Sequence, residues 1–394
     1  MDFRTITFSM LKLLTDTATP LDPSTRIDAI DVLRGIALFG VLAVNLVTEF
    51  RVSIFQQFLP DLAQGTSADR AVESFVSLAL ESKAFSLFSL LFGLGLAIQF
   101  ERLARSGSPL RWLVRRLAVL LVIGLIHLLL IWNGDILTEY ALAGFVVLPF
   151  LFAPRWALLA GCVAFILLYL ILPLLSLPVP WPTPAWMQQH VHEANAVYAT
   201  GNAADVLRFS IREIHALLPL HIYVFPRTVA LFLLGAFIWR TSLFKEAAKQ
   251  EATLFPVASV CLIVGWLLTS TAPNVLSALA PVFLALGYAA SVIWLMTSTT
   301  VGRWLEPVGA LGRMAFTNYL LQSVVFGWIF FGYGLGLFGK LGAAPTIAIG
   351  VVVYGIQVLL SSWWLRHFRF GPVEWLWRSL MYGTRQPMAR VPVQ

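Results

Sequence analysis

About ten stretches of this chain each run for roughly 20 residues with almost no charge, the length that crosses the hydrocarbon of a bilayer as a helix. They lie at residues 30–48, 84–100, 112–132, 137–153, 156–176, 227–242, 252–270, 274–298, 312–332 and 345–366. In lipid each backbone N–H and C=O must find its partner within the segment, so helix is the state these stretches take. Composition agrees. Hydrophobic residues make up 59% and charged residues 12%, about half the charge of an ordinary soluble domain. The expected fold is all-α, a polytopic transmembrane bundle of about ten spans.

Charge orients the bundle. With the N-terminus placed in the cytoplasm and the spans alternating, of the 27 Lys and Arg only Arg51, Arg70, Lys83, Arg208, Arg212, Arg227 and Lys340 fall outside. That asymmetry is the positive-inside bias and puts both termini in the cytoplasm. A net charge of +7 in a soluble chain would suggest nucleic acid; here the basic residues are dealt out between spans, so no nucleic-acid partner is expected. Cys162 and Cys261 sit in apolar runs and read as small buried hydrophobes, with no metal expected. Three regions follow: an N-terminal cytoplasmic or interfacial segment, 1–25, with a short helix at 3–14 and no signal-cleavage pattern; a transmembrane domain, 26–370, with long outer segments at 49–83 and 177–226; and a C-terminal interfacial helix and tail, 371–394.

Ionisable groups inside or at the mouth of a span need a partner or a task. In RIDAIDVLRG, Asp31 and Arg34 are three apart on one helix face, which fits an interfacial ion pair at least as well as a binding site. In GLIHLLLIWNGDILTEYALAG, His127 lies in the third span and Asp135 in the tight turn after it, with Glu139 and Tyr140 a turn beyond. An imidazole oriented by a carboxylate is a general base; a lone intramembrane His is otherwise a helix-packing residue. In GRMAFTNYLLQS, Arg313, Thr317, Asn318, Gln322 and Ser323 make one span unusually polar, through interhelical hydrogen bonds or along a cavity. In FGPVEWLWRSLMYG, Glu374 and Arg378 are four apart between interfacial tryptophans. His190 and His192 resemble a metal site only in composition, because residues two apart on a helix point away from each other.

RIDAIDVLRGIALFGVLAVN, LFSLLFGLGLAIQ, GDILTEYALAG, GRMAFTNYLLQS and GPVEWLWRS occur in that order within residues 26–385. Together they resemble the bacterial YeiB family of multi-span proteins of unassigned function. The first span, through Asp31, Arg34, Gly35 and Asn45, is more distantly similar to heparan glucosaminide acetyltransferase-type enzymes. Those move an acetyl group from cytoplasmic acetyl-CoA to a sugar across the membrane. The chain departs from them in one respect: residues 46–70 contain no His.

The resemblance implies an acyltransferase of the bacterial cytoplasmic (inner) membrane with an acyl-CoA co-substrate. Its partners would be membrane lipids and a small-molecule, lipid or sugar acceptor. Arg34, Arg313 and Arg378 would then meet the coenzyme phosphates, with Asp31 beside them. His127 and Asp135 would be catalytic, and Asn45, Tyr140, His215, Arg227, Asn318 and Gln322 would bind substrate along the path. A transporter of a small polar solute or lipid uses the same polar stripes, and a non-catalytic scaffold is a third reading. The residues leave all three open, along with the oligomeric state.

Overall fold

Apolar side chains at every turn give these stretches no polar face to turn toward water, so their helices bury one side in protein and offer the other to lipid. The computed structural model describes residues 28–59, 65–105, 107–175, 180–241, 251–270, 275–297 and 299–390. The expectation for residues 1–25 lies outside these, as do parts of the segments 49–83, 177–226 and 371–394. Among the described residues the chain is almost wholly helical, and one antiparallel bridge, Phe368 with Ala389, ties the C-terminal tail to the last span.

The helices are α1 (Asp28–Asn45), α2 (Ser67–Phe75), α3 (Lys83–Ala104), α4 (Pro109–Leu130), α5 (Leu137–Phe152), α6 (Arg155–Ile171) and α7 (Pro184–Thr200). They continue with α8 (Ala203–Arg240), α9 (Glu251–Ser270), α10 (Ala280–Leu295), α11 (Thr299–Arg313), α12 (Ala315–Phe330), α13 (Ala343–His367) and α14 (Pro372–Tyr382). Among the described residues eight helical segments are long and apolar enough to cross a membrane, and α5 and α12 are shorter apolar helices. The protein is a polytopic helical bundle.

Two expected spans turn out to be parts of longer helices. The second is α3, part of a helical segment Ser67–Ala104 that also takes in α2 and a π turn at Val76–Leu80, with a break at Glu81 and Ser82. The sixth is the final third of α8, which runs 38 residues with Pro219 and Pro226 inside it. A helix of that length reaches about 57 Å, well beyond a 30 Å hydrocarbon layer. Its first half, with α7 and the 3-10 turn Ile54–Phe58, therefore builds a cap over one end of the bundle, packed around Phe55, Met187, Val191 and Leu217. Asn202 starts α8 with a reciprocal capping box to Asp205, a pattern legible in sequence.

The centre is α1. Its apolar window is 83% buried, against 17% for Thr253–Ser270 in α9 and 22% for α13, so α1 meets helices all round while α9 and α13 face outward. Val122 and Leu130 of α4, Val260 and Trp266 of α9, and Val352 and Leu359 of α13 form part of an exposed apolar belt, the surface that lipid covers. One tight crossing is α3 on α8. Gly93 lies against the Phe232 backbone and Gly235 against the Leu90 carbonyl, so neither position has room for a Cβ. Small residues at such crossings let two backbones approach closely enough for dispersion to hold them in lipid.

Candidate functional site

His127 lies in the last turn of α4, its carbonyl takes hydrogen bonds from both Ile131 and Trp132 N–H, and the chain turns sharply into α5. Asp135 sits in that turn. One carboxylate oxygen lies 2.8 Å from His127 Nδ1; the other accepts the Thr138 N–H, 2.7 Å away, in the first turn of α5. The start of a helix favours a negative charge, so the same carboxylate satisfies an orphan N–H and orients the imidazole. The Tyr319 hydroxyl accepts from the Ile136 N–H and donates to the Gly134 carbonyl, each at 3.3 Å, and so clamps the turn. His127 and Asp135 are both essentially without solvent contact. With Nδ1–H given to the carboxylate, Nε2 keeps its lone pair. Nε2 is buried and has no hydrogen-bond partner among the described residues.

Beside the dyad, toward the capped end, is a small cleft lined by Glu49, Ser53, Trp132, Asn133, Tyr198, Glu213 and Phe331. Trp132 stacks on Phe50 and presents its edge to His127, with ring centroids 4.5 Å and 6.2 Å apart respectively. Glu49 comes from the π turn Leu46–Phe50 that ends α1; such bulges recur at functional sites. Glu213 is fully engaged. His190 Nε2 lies 2.8 Å from one oxygen, while Asn133 and Tyr198 donate to the other at 2.7 and 2.8 Å. The His190 ring is stacked between Trp186 and Phe209. Burial first, and then the Glu213 charge, push the Tyr198 phenol well above its ordinary pKa, so it remains a donor.

A third cluster lies between α5 and α8. Glu139 accepts from the Thr228 hydroxyl at 2.5 Å and faces His221 Nδ1 at 3.1 Å. Tyr140, its neighbour, bonds Ser89 at 2.7 Å and donates to the Phe85 carbonyl at 3.2 Å.

The opposite end is basic. Arg34, Arg102 and Arg378 are all within electrostatic range of Arg116. Arg116 stacks on Trp377 at 4.1 Å and donates to Gln99. Arg102 donates to Tyr382, and Arg34 to Asp31 at 3.1 Å. Arg378 lies over the Phe370 ring. α14 docks here through Glu374, which accepts from the Phe316 and Thr317 N–H groups and the Thr317 hydroxyl at the start of α12.

The sequence-derived residues thus separate into groups. His127, Asp135 and Tyr140 share the α4–α5 hairpin and its neighbours, and Asp31, Arg34 and Arg378 belong to the basic end. Asn318 and Gln322 bond Ser361 and Gln357 of α13 at 2.9 and 2.8 Å, so the polar stripe of α12 meets a polar stripe on its neighbour. Arg313 ends α11, Asn45 is buried on α1, and Arg227 is buried on α8. His215 is exposed on the cap. Glu49, Asn133, His190, Tyr198, Glu213 and His221 are not apparent from motifs alone. One signal does point to Glu213: it shares a helical face with Val206, Phe209 and Leu217, and an acid on an apolar face needs partners.

Comparison with known proteins gives this arrangement a family. Over 390 residues the chain is 37% identical to the uncharacterized protein YxaH of Bacillus subtilis, covering 93% of this chain and 96% of that protein. The chain belongs to the YeiB-like DUF418 family. The family model, described as a protein of unknown function, matches residues 238–384, which hold the end of α8 and all of α9–α14. The chain is also 29% identical over 398 residues to the uncharacterized protein YeiB of Escherichia coli, covering 91% of this chain and 97% of that protein. The other family members matched extend over nearly their whole length, so the hairpin carrying the dyad lies within the shared region although the family model begins later.

Proposed function

We propose that this family member is a transmembrane acyltransferase of the bacterial cytoplasmic membrane, with His127 as general base. The carrying observation is the buried His127–Asp135 pair with its unpartnered Nε2. A hydrogen-bonded imidazole held in one tautomer is the arrangement that accepts a proton from an attacking hydroxyl or amine. The acceptor oxygen or nitrogen bonds the thioester carbonyl carbon and its proton goes to Nε2. The tetrahedral adduct then expels the thiolate, which takes the proton back from Nε2. The C–S bond breaks, one C–O or C–N bond forms, and the imidazole is restored.

The basic end supports a donor of acyl-CoA type. Arg34, Arg102, Arg116 and Arg378 gather charge that suits phosphates, and Arg is the side chain best shaped for them. Arg116 and His127 lie on the same helix, roughly 16 Å apart along its axis. The thioester arm would reach inward from the phosphates over that span. The cleft beside Trp132 lies on the far side of the dyad, where the acceptor would enter.

The test uses purified protein with acetyl-CoA. Acetyl-CoA should raise the melting temperature, and free thiol should appear with an acceptor from a panel of sugars, polyols and amines. His127→Ala should keep the thermal shift and lose thiol release; Arg116→Gln should lose the shift. Absence of both shift and thiol release across the panel would overturn acyl transfer and return attention to solute export.

A further inference from the structure

Arg227 is buried in the membrane-crossing part of α8, 6% exposed. Its guanidinium lies over the ring of Tyr169 on α6, 5.5 Å from the centroid. Among the described residues none accepts a hydrogen bond from its five N–H groups and none pairs with its charge at contact distance. Glu139 of α5 bonds Thr228 and His221 instead.

A second buried cation lies within electrostatic range of it. Lys83 is 7% exposed at the start of α3, directly after Ser82, whose φ of 61° lies in the left-handed region. Its Nζ donates to the Ser77 carbonyl at 2.9 Å. The charges of Lys83 and Arg227 are in range and repel, and the attraction of Glu81 falls on Lys83. Tyr169 and Tyr223, paired with ring centroids 4.9 Å apart, add hydroxyls near Arg227.

A guanidinium inside a membrane span without hydrogen bonds is expensive, and a like charge nearby makes it more so. An oxyanion removes both penalties, because its oxygens accept from the guanidinium fork and its charge screens the two cations from each other. We propose that Arg227 and Lys83 form a binding site for a phosphate-class oxyanion, either the headgroup of an anionic lipid or a soluble phosphate. The site lies against α6, whose Leu167, Leu168 and Ile171 are exposed on the lipid-facing side, so a headgroup has a route from the bilayer. The inference does not rest on acyl transfer.

Full-length protein tests it in two arms, with melting temperature as the readout. In neutral detergent it is titrated with sodium phosphate against sodium chloride of equal ionic strength. In nanodiscs, phosphatidylcholine alone is compared with phosphatidylcholine containing increasing phosphatidylglycerol. A saturable rise in the detergent arm identifies soluble phosphate, and a rise in the nanodisc arm alone identifies a lipid headgroup. Arg227→Gln and Lys83→Gln should each weaken the response about tenfold or more, the scale of one lost charge-assisted contact. Arg208→Gln, an exposed position on the same helix paired with Asp205, should respond as wild type. If Arg227→Gln does not fold, Arg227→Lys, which keeps the charge and loses the fork, takes its place and should also bind more weakly. No rise in either arm, or an equal rise in wild type and the Arg227 and Lys83 variants, would overturn the site.

Discussion

His127 is held by a carboxylate that has two tasks, and this shapes what substitutions there should do. Asp135 orients the imidazole with one oxygen and accepts the Thr138 N–H with the other. Asp135→Asn keeps the shape, but its amide donates to Nδ1 and drives the proton to Nε2. The base would then face the acceptor in the wrong tautomer, so turnover should fall by about 10²–10⁴, the range for losing a general base. Melting temperature should shift far less than turnover; a variant that is active per folded molecule but less stable would make the pair a packing device. Glu374 gives a pH prediction. Burial holds its carboxyl above the usual carboxylate range despite the hydrogen bonds from Phe316 and Thr317. The folded state therefore binds this proton more tightly than the unfolded chain, and the group's contribution is fullest below the unfolded pKa and declines as pH rises through the folded one. Relative to Glu374→Gln, wild type should gain melting temperature between pH 7 and 4.5. Parallel unfolding curves for the two across that range would contradict this.

Between elements, the α3–α8 crossing depends on two glycines. Gly93 and Gly235 each face the backbone of the other helix, so an added methyl displaces a helix rather than a flexible side-chain end. Gly93→Ala should destabilise by about 1–3 kcal/mol, the usual penalty of overpacking. Gly355 of α13 has open space where its Cβ would go, so Gly355→Ala should be neutral or slightly stabilising through helix propensity. Thermal unfolding of both variants in one detergent checks the contrast. The hydrogen bonds between α12 and α13 are a weaker clamp, since each such bond in a membrane contributes about 0.6 kcal/mol on average.

At the scale of the whole molecule, the arrangement is polar by end. Arginines and α14 occupy one face of the bundle, and the α7–α8 cap and the cleft occupy the other. With the basic end cytoplasmic, Arg105→Cys should be shielded from an impermeant thiol reagent in intact cells and Ala204→Cys should react. Reversed labelling would invert the topology and with it the direction of any transfer.

The apolar stretches and the segregation of Lys and Arg were readable in the chain, because each depends on local spacing or on a count that survives any packing. A span's length is set by the bilayer, a helix start by its first turn, and neither needs a neighbour. Even the hydrogen bond of His127 to Asp135 is nearly local, closed within one tight turn. The rest needed three dimensions. Glu213 meets His190 and Asn133 from distant parts of the chain, and Arg227 comes within electrostatic range of Lys83 from another helix. No spacing rule links such residues, since the positions and rotations of packed helices are set by which small residues allow close crossing. Tertiary structure alone decided that Glu213 is saturated while Arg227 is not, because hydrogen-bond satisfaction is a property of a residue's neighbours.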